Sequence, residues 1–230
     1  MIDRIDCIEM SNGSLLNEHA FKSPLIITGG TNNWGFHGWD LNTLDSNMGE
    51  RDIVIRKSRG EEINKAYTMK MNKFIEIILN GNPNKWYCDW PFFSMGDEDL
   101  DDYYSTPECF NEVINHGISL KDRFKWFFLG SEGTGTELHQ DFDQTNNWHG
   151  IVFGEKEWIF LSPESYIKLK EQNKNISATE FHENISASKY KESLRILQKP
   201  GEIIYTPKNW WHSVRNIKTT FSVSENFWFK

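Results

Sequence analysis

Cysteine is scarce. The chain carries three, Cys7, Cys88 and Cys109, an odd number set far apart with no C-x-x-C among them. Neither a disulfide framework nor a cysteine zinc site is expected. Positive charge is in deficit as well: 25 Lys and Arg against 33 Asp and Glu give a formal net charge of −8. No Lys/Arg cluster stands out, so nucleic acid is not expected as the main partner. No apolar run reaches the ~20 residues of a membrane span, and the opening MIDRIDCIEM is charged, without the apolar stretch of a signal peptide. No membrane partner is expected. The N-x-S sequons at Asn12, Asn175 and Asn184 carry no meaning without secretion, and the cytoplasm is the expected location, with the nucleus as the alternative. Internal repeats are absent, and no linker splits the chain.

What is present is apolar and aromatic. The 230 residues are 38% hydrophobic and 14% aromatic, with ten tryptophans. That is enough for a single domain over residues 1–230 with a real core, and aromatic residues suit the pleated surface of a sheet. Short apolar runs predict strands at 24–28 and 52–56, with Trp34 and Trp39 in a loop between them. A helix is predicted over 69–80, because Met71, Phe74, Ile75, Ile78 and Leu79 fall on one face, with Thr68 capping its start and Gly81 its end. A shorter helix is predicted over 107–115 from the Ser105/Glu108 capping box and Pro107. A short helix near 17–22 is a further expectation. Strands are expected over 126–129, 137–142, 150–153 and 158–161, a helix from Ser162 to Gln172, then a polar surface insertion over 173–192. Strands over 195–198, 202–205, 212–216 and 221–229 complete the chain. Strands on both sides of helical insertions suggest a mainly β double-stranded β-helix, a barrel-like jelly-roll sandwich with flanking helices. Residues 1–120 would support a core at 121–230.

The most informative stretch is SEGTGTELHQDFDQTNNWHGIVFGEKEWIFL, residues 131–161. It places His139 and Asp141 one residue apart, so on a strand both side chains point the same way. An imidazole and a carboxylate side by side suit a metal, and His212 in PGEIIYTPKNWWH supplies a third ligand. Two histidines and one carboxylate form the facial triad that leaves positions open on iron(II). The His182–Glu183 pair lacks the second histidine of a zinc-protease motif.

GTGTELHQD, then Gly154 and Lys156, then PGEIIYTPKNWWH and SENFW, resemble the JmjC-domain oxygenases. This is a cupin-related group that uses iron(II), 2-oxoglutarate and dioxygen. The likeness is greatest to its small protein hydroxylases and is strongest over 126–161 and 198–229. The resemblance implies His139, Asp141 and His212 as iron ligands. It also implies that Lys156 pairs with the distal carboxylate of 2-oxoglutarate, since such a carboxylate needs a buried cation. Thr136, Ser224, Asn226 and Tyr87 match residues near the cosubstrate. Where one relative has a cosubstrate-binding asparagine this chain has His149, while Asn147 two residues earlier matches another; either enters the pocket. Trp210 and Trp211 are expected to pack beside the iron and exclude water. The acidic run Asp97, Glu98, Asp99, Asp101 and Asp102 reads as a solvated loop or as a docking surface for a basic peptide or amine.

The implied activity is hydroxylation of a protein side chain, with 2-oxoglutarate decarboxylated to succinate. N-methyl-lysine or N-methyl-arginine demethylation, small-molecule hydroxylation and a non-catalytic metal-binding module are the alternatives. The substrate, protein or small molecule, is unidentified, with a basic one in view. The similar hydroxylases carry further helices after the barrel that pair subunits, and here the chain stops at Lys230, directly after SENFWF, so a monomer is expected.

Overall fold

The structure, a computed structural model, describes residues 4–6, 22–60, 62–111, 114, 124–172, 181–182 and 192–229. Thirteen strands form among them: β1 (Arg4–Asp6), β2 (Leu25–Thr28), β3 (Asp52–Lys57), β4 (Tyr67–Lys70), β5 (Trp86–Trp90), β6 (Phe124–Gly130), β7 (Gly135–His139), β8 (Asn146–Phe153), β9 (Lys156–Leu161), β10 (Leu194–Gln198), β11 (Glu202–Thr206), β12 (Trp211–Asn216) and β13 (Thr220–Phe227). The helices are α1 (Leu41–Met48), α2 (Met71–Leu79), α3 (Glu108–Asn111) and α4 (Pro163–Gln172). A nine-stranded sheet runs β1-β2-β11-β8-β13-β6-β5-β3-β4, and a four-stranded sheet runs β10-β9-β12-β7. All pairings are antiparallel except β1 with β2. Residues of both sheets wall one cavity, which gives the predicted cupin-like sandwich.

Strand alternation divides the work of the large sheet. On β13, Phe221, Val223 and Phe227 enter the main core, whereas Ser224 and Asn226 face the cavity. The main core joins β13 to α1, α2 and an aromatic cluster in which Phe92 stacks on Phe127 at 4.2 Å. Such a pair adds about 0.5–1.5 kcal/mol beyond its buried area. A second cluster, Ile26, Trp158, Phe160, Ile196, Ile204 and Val214, draws on both sheets. A third packs Leu169 of α4 and Phe181 against Ile159 and Leu161 of β9.

Several expectations change. α2 starts at Met71, and its N-cap is Lys70 without a side-chain cap bond. Thr68 pairs instead with Val54 in the β3–β4 ladder, which holds the chain extended up to Lys70. The loop after Trp39 contains α1, capped by the Asp40 carboxylate on the Thr43 N–H at 2.8 Å. β5 was not anticipated. α3 is shorter than predicted, and Ile114 bridges to Phe229. The insertion is not all surface, since Phe181 and His182 are buried. The helix near 17–22 and most of 173–192 lie outside the described residues. The acidic run is largely pinned: Arg51 bonds Asp97 at 2.8 Å and also Asp99, and Lys125 bonds Asp101. Those three carboxylates hold a short 3-10 helix, Glu98–Tyr103, in place.

Gly154 turns the chain from β8 into β9. Its φ is +90°, and a Cβ there would sit 2.3 Å from the Thr219 carbonyl oxygen and 2.6 Å from Thr220 Cα. Gly154→Ala is expected to cost about 1–3 kcal/mol of stability, read as a lowered midpoint in denaturant unfolding. An unchanged midpoint would show that the turn relaxes freely.

Candidate active site

β12 pairs with β7 so that His212 lies directly opposite His139, with ring centroids 4.2 Å apart. β7 ends at His139, so Asp141 is not on the strand as expected. It holds an extended conformation just beyond, φ −63° and ψ 149°, at the start of the short 3-10 helix Phe142–Gln144. The extended backbone carries the two-residue alternation past the strand end, and the carboxylate still reaches the histidines. Asp141 Oδ1 lies 4.0 Å from His139 Nε2 and 3.9 Å from His212 Nε2. The three ligand atoms lie within 4.8 Å of one another.

The histidines are oriented from behind. His139 Nδ1 is 2.8 Å from the Glu137 carbonyl oxygen, and His212 Nδ1 is 3.3 Å from that of Trp210. A carbonyl only accepts, so each ring donates Nδ1–H and turns Nε2 toward Asp141. Burial pushes His212 down to about 4, which keeps that lone pair free at neutral pH. Two imidazole nitrogens and one carboxylate suit iron(II), and a metal fits this donor set.

Lys156 opens β9 at the far end of the site. It is fully buried, and its ammonium donates to Tyr87 Oη at 3.1 Å and Asn216 Oδ1 at 2.9 Å. No carboxylate pairs with it among the described residues, and burial alone pushes it down to about 7. A buried cation with neutral partners is costly, and an anionic ligand relieves that cost. A dicarboxylate such as 2-oxoglutarate therefore fits. Asn216 was not anticipated. Register sets it opposite Lys156, and its amide donates to Gly130 O and Thr134 Oγ1 at 3.1 Å each, which turns Oδ1 to the ammonium. Tyr87 is buried, bonds Thr136, and has its phenol pushed well up by burial.

The cavity, about 330 Å³, brings together all the predicted iron and cosubstrate residues except Lys156, which lies behind Tyr87. Asn147 donates to Ser224 Oγ at 2.6 Å and Asn226 Oδ1 at 3.0 Å. Asn147 and His149 are two apart on β8, so both face the cavity and the choice between them disappears. The His149 ring stacks on Phe128 at 5.5 Å and meets the edge of Trp158 at 5.0 Å, and burial holds it neutral. Trp210 and Trp211 do not line the cavity. Trp211 alternates away from His212 and stacks on Tyr166 at 3.7 Å, while Trp210 donates to the Lys22 carbonyl. Trp158 and Phe160, each 5.8 Å from the His212 ring, supply the apolar surround instead. Asp89 and the aromatic walls Trp126, Phe128 and Phe142 were not anticipated.

A family model described as "Cupin-like domain" matches residues 16–230. The chain belongs to the cupin-like domain family. Among its relatives is the "Bifunctional arginine demethylase and lysyl-hydroxylase psr-1" of Caenorhabditis elegans, 26% identical over 249 residues, covering 96% of this cupin-like chain and 61% of the relative. The "Arginine-specific demethylase JMJ20" of Arabidopsis thaliana is 25% identical over 266 residues, covering 98% and 57%. The "2-oxoglutarate and iron-dependent oxygenase JMJD4" of Gallus gallus is 25% identical over 222 residues, covering 86% and 52%. The chain thus spans between 52% and 61% of the length of these three relatives.

Proposed function

We propose that the protein is an iron(II)- and 2-oxoglutarate-dependent oxygenase that hydroxylates a protein side chain, a basic one, and releases succinate. One observation carries the reading: a two-histidine, one-carboxylate set lines a cavity whose Tyr87 wall is backed by a buried lysine that no described carboxylate neutralises. The names of the relatives, an iron- and 2-oxoglutarate-dependent oxygenase, a lysyl-hydroxylase and arginine demethylases, support it. Demethylation is the second reading, since it begins with hydroxylation of an N-methyl carbon and two of those names include it.

His139, Asp141 and His212 would hold iron(II), and Lys156 with Tyr87 and Thr136 would receive the distal carboxylate of 2-oxoglutarate. When bound, the pair supplies dioxygen activation and the oxidative decarboxylation. The chain's own part is placement. The Glu137 and Trp210 carbonyls fix the histidine rings, Asn216 aims the lysine, and Trp158 and Phe160 keep water from His212. Protein incubated with iron(II), ascorbate and 2-oxoglutarate is expected to form succinate above a protein-free control. A metal-binding module without turnover would form none, and that result overturns the proposal. A one-oxygen mass gain on proteins of a treated cell extract then identifies the substrate.

A further inference from the structure

Once Asp141 is committed to a metal, one charged side chain remains on the cavity wall among the described residues: Asp89. It lies on β5 two residues after Tyr87, so both face the cavity, and Phe128 is opposite it in register. Arg56 on β3 holds it by one bond, Nε to Oδ2 at 2.8 Å. No described residue donates to Oδ1. The two side chains keep 34% and 29% of their exposure, so the carboxylate is steadied from one side and open on the other.

The surroundings fit a particular visitor. Trp126 and Phe142, with ring centroids 5.8 Å apart, wall the same cavity, and Phe124 stacks on Trp126 behind them. Aromatic faces suit the alkyl stem and the cationic head of a long basic side chain. Lys156, whose charge would repel such a head, sits behind Tyr87. No lysine or arginine lines the cavity among the described residues.

We infer that Asp89 is the specificity-determining residue for the substrate: its free oxygen receives the ammonium or guanidinium of a basic side chain, with Trp126 and Phe142 along the stem. This rests on the oxygenase reading above and assigns the residue that selects the substrate. Arg56 is a positioning residue that fixes the carboxylate and competes weakly for it.

The test reads binding without turnover. Protein is loaded with zinc(II), which has no redox chemistry, and with 2-oxoglutarate. Capped pentapeptides with lysine, arginine or norleucine between glycines are then titrated by ligand-observed NMR. A charge-assisted hydrogen bond predicts that the wild type binds the lysine or arginine peptide about 10- to 150-fold more tightly than the norleucine peptide. Asp89→Asn is expected to reduce that preference to less than about threefold, while zinc stoichiometry and 2-oxoglutarate affinity hold. Arg56→Gln is expected to keep or enlarge the preference, which a merely structural role for the pair would not allow. Equal binding of the three peptides by the wild type, no binding of any at millimolar concentration, or a preference that survives Asp89→Asn overturns the inference. Absence of succinate in the wild type would instead strike the oxygenase reading.

Discussion

The Asp141→Ala, His212→Ala double variant is expected to lose its bound iron and all succinate formation. His139 alone would remain, and one imidazole does not hold iron(II) against water. The fold should survive. Asp141 sits beyond the end of β7, and its carboxylate forms ion-pair contacts only with the two histidines among the described residues, at 3.9–4.0 Å. Removing the His212 ring leaves a small cavity beside Trp158 and Phe160. Metal analysis of the purified variant, with circular dichroism to check the fold, decides the matter. Iron retained at full stoichiometry would refute the assignment. If the variant does not fold, His139→Ala with Asp141→Ala touches only partly exposed side chains, at 36% and 15%, and asks the same question.

Lys156→Ala is expected to raise the 2-oxoglutarate requirement by about 10- to 150-fold with iron still bound, the worth of one charge-assisted hydrogen bond of about 1.5–3 kcal/mol. An unchanged requirement would move the role elsewhere. The same residue predicts a pH dependence. Burial lowers it from 10.5 to about 7, yet binding a carboxylate needs the ammonium. Above pH 7 the pocket must first take up a proton, so the dissociation constant of 2-oxoglutarate should rise about tenfold per unit. Calorimetric titrations from pH 6 to 9 test this, and a flat profile would mean that the lysine stays charged without its ligand. For folding the sign is opposite. Between about pH 7 and 10.5 the unfolded chain holds a proton that the native chain lacks, so this residue's contribution to stability rises with pH across that window. Below 7 the penalty is constant, and cosubstrate binding offsets it.

The metal ligands were legible because their geometry is local. His139 and Asp141 are two residues apart, and extended backbone alone sets both to one side. Lys156 was legible through the family resemblance, but its setting was not. Asn216 reaches it because β12 and β9 pair in one particular register, and a register between strands sixty residues apart leaves no mark at either position. Asp89 was hidden with its strand, since Trp-Tyr-Cys-Asp-Trp has no clean alternation of apolar and polar residues. Trp210 and Trp211 were misplaced because proximity in sequence to His212 was taken for proximity in space, whereas alternation sends Trp211 to the outer face. α1 was missed because Leu41–Met48 carries only Leu44 and Met48 into the core, too few to show a period.

The eight residues of β13 work like a text whose alternate letters spell two messages. One set, Phe221, Val223 and Phe227, spells the core, with Glu225 in the same set anchoring Tyr104 and Lys125. The other, Ser224 and Asn226, spells the pocket. Point substitutions can rewrite the pocket without a word of the core changing, so the strand is open to new substrate or cosubstrate chemistry one letter at a time. A single inserted or deleted residue would exchange the two messages, putting phenylalanines into the cavity and serines into the core. Drift in this strand should therefore run through replacements at even positions and almost never through changes of length.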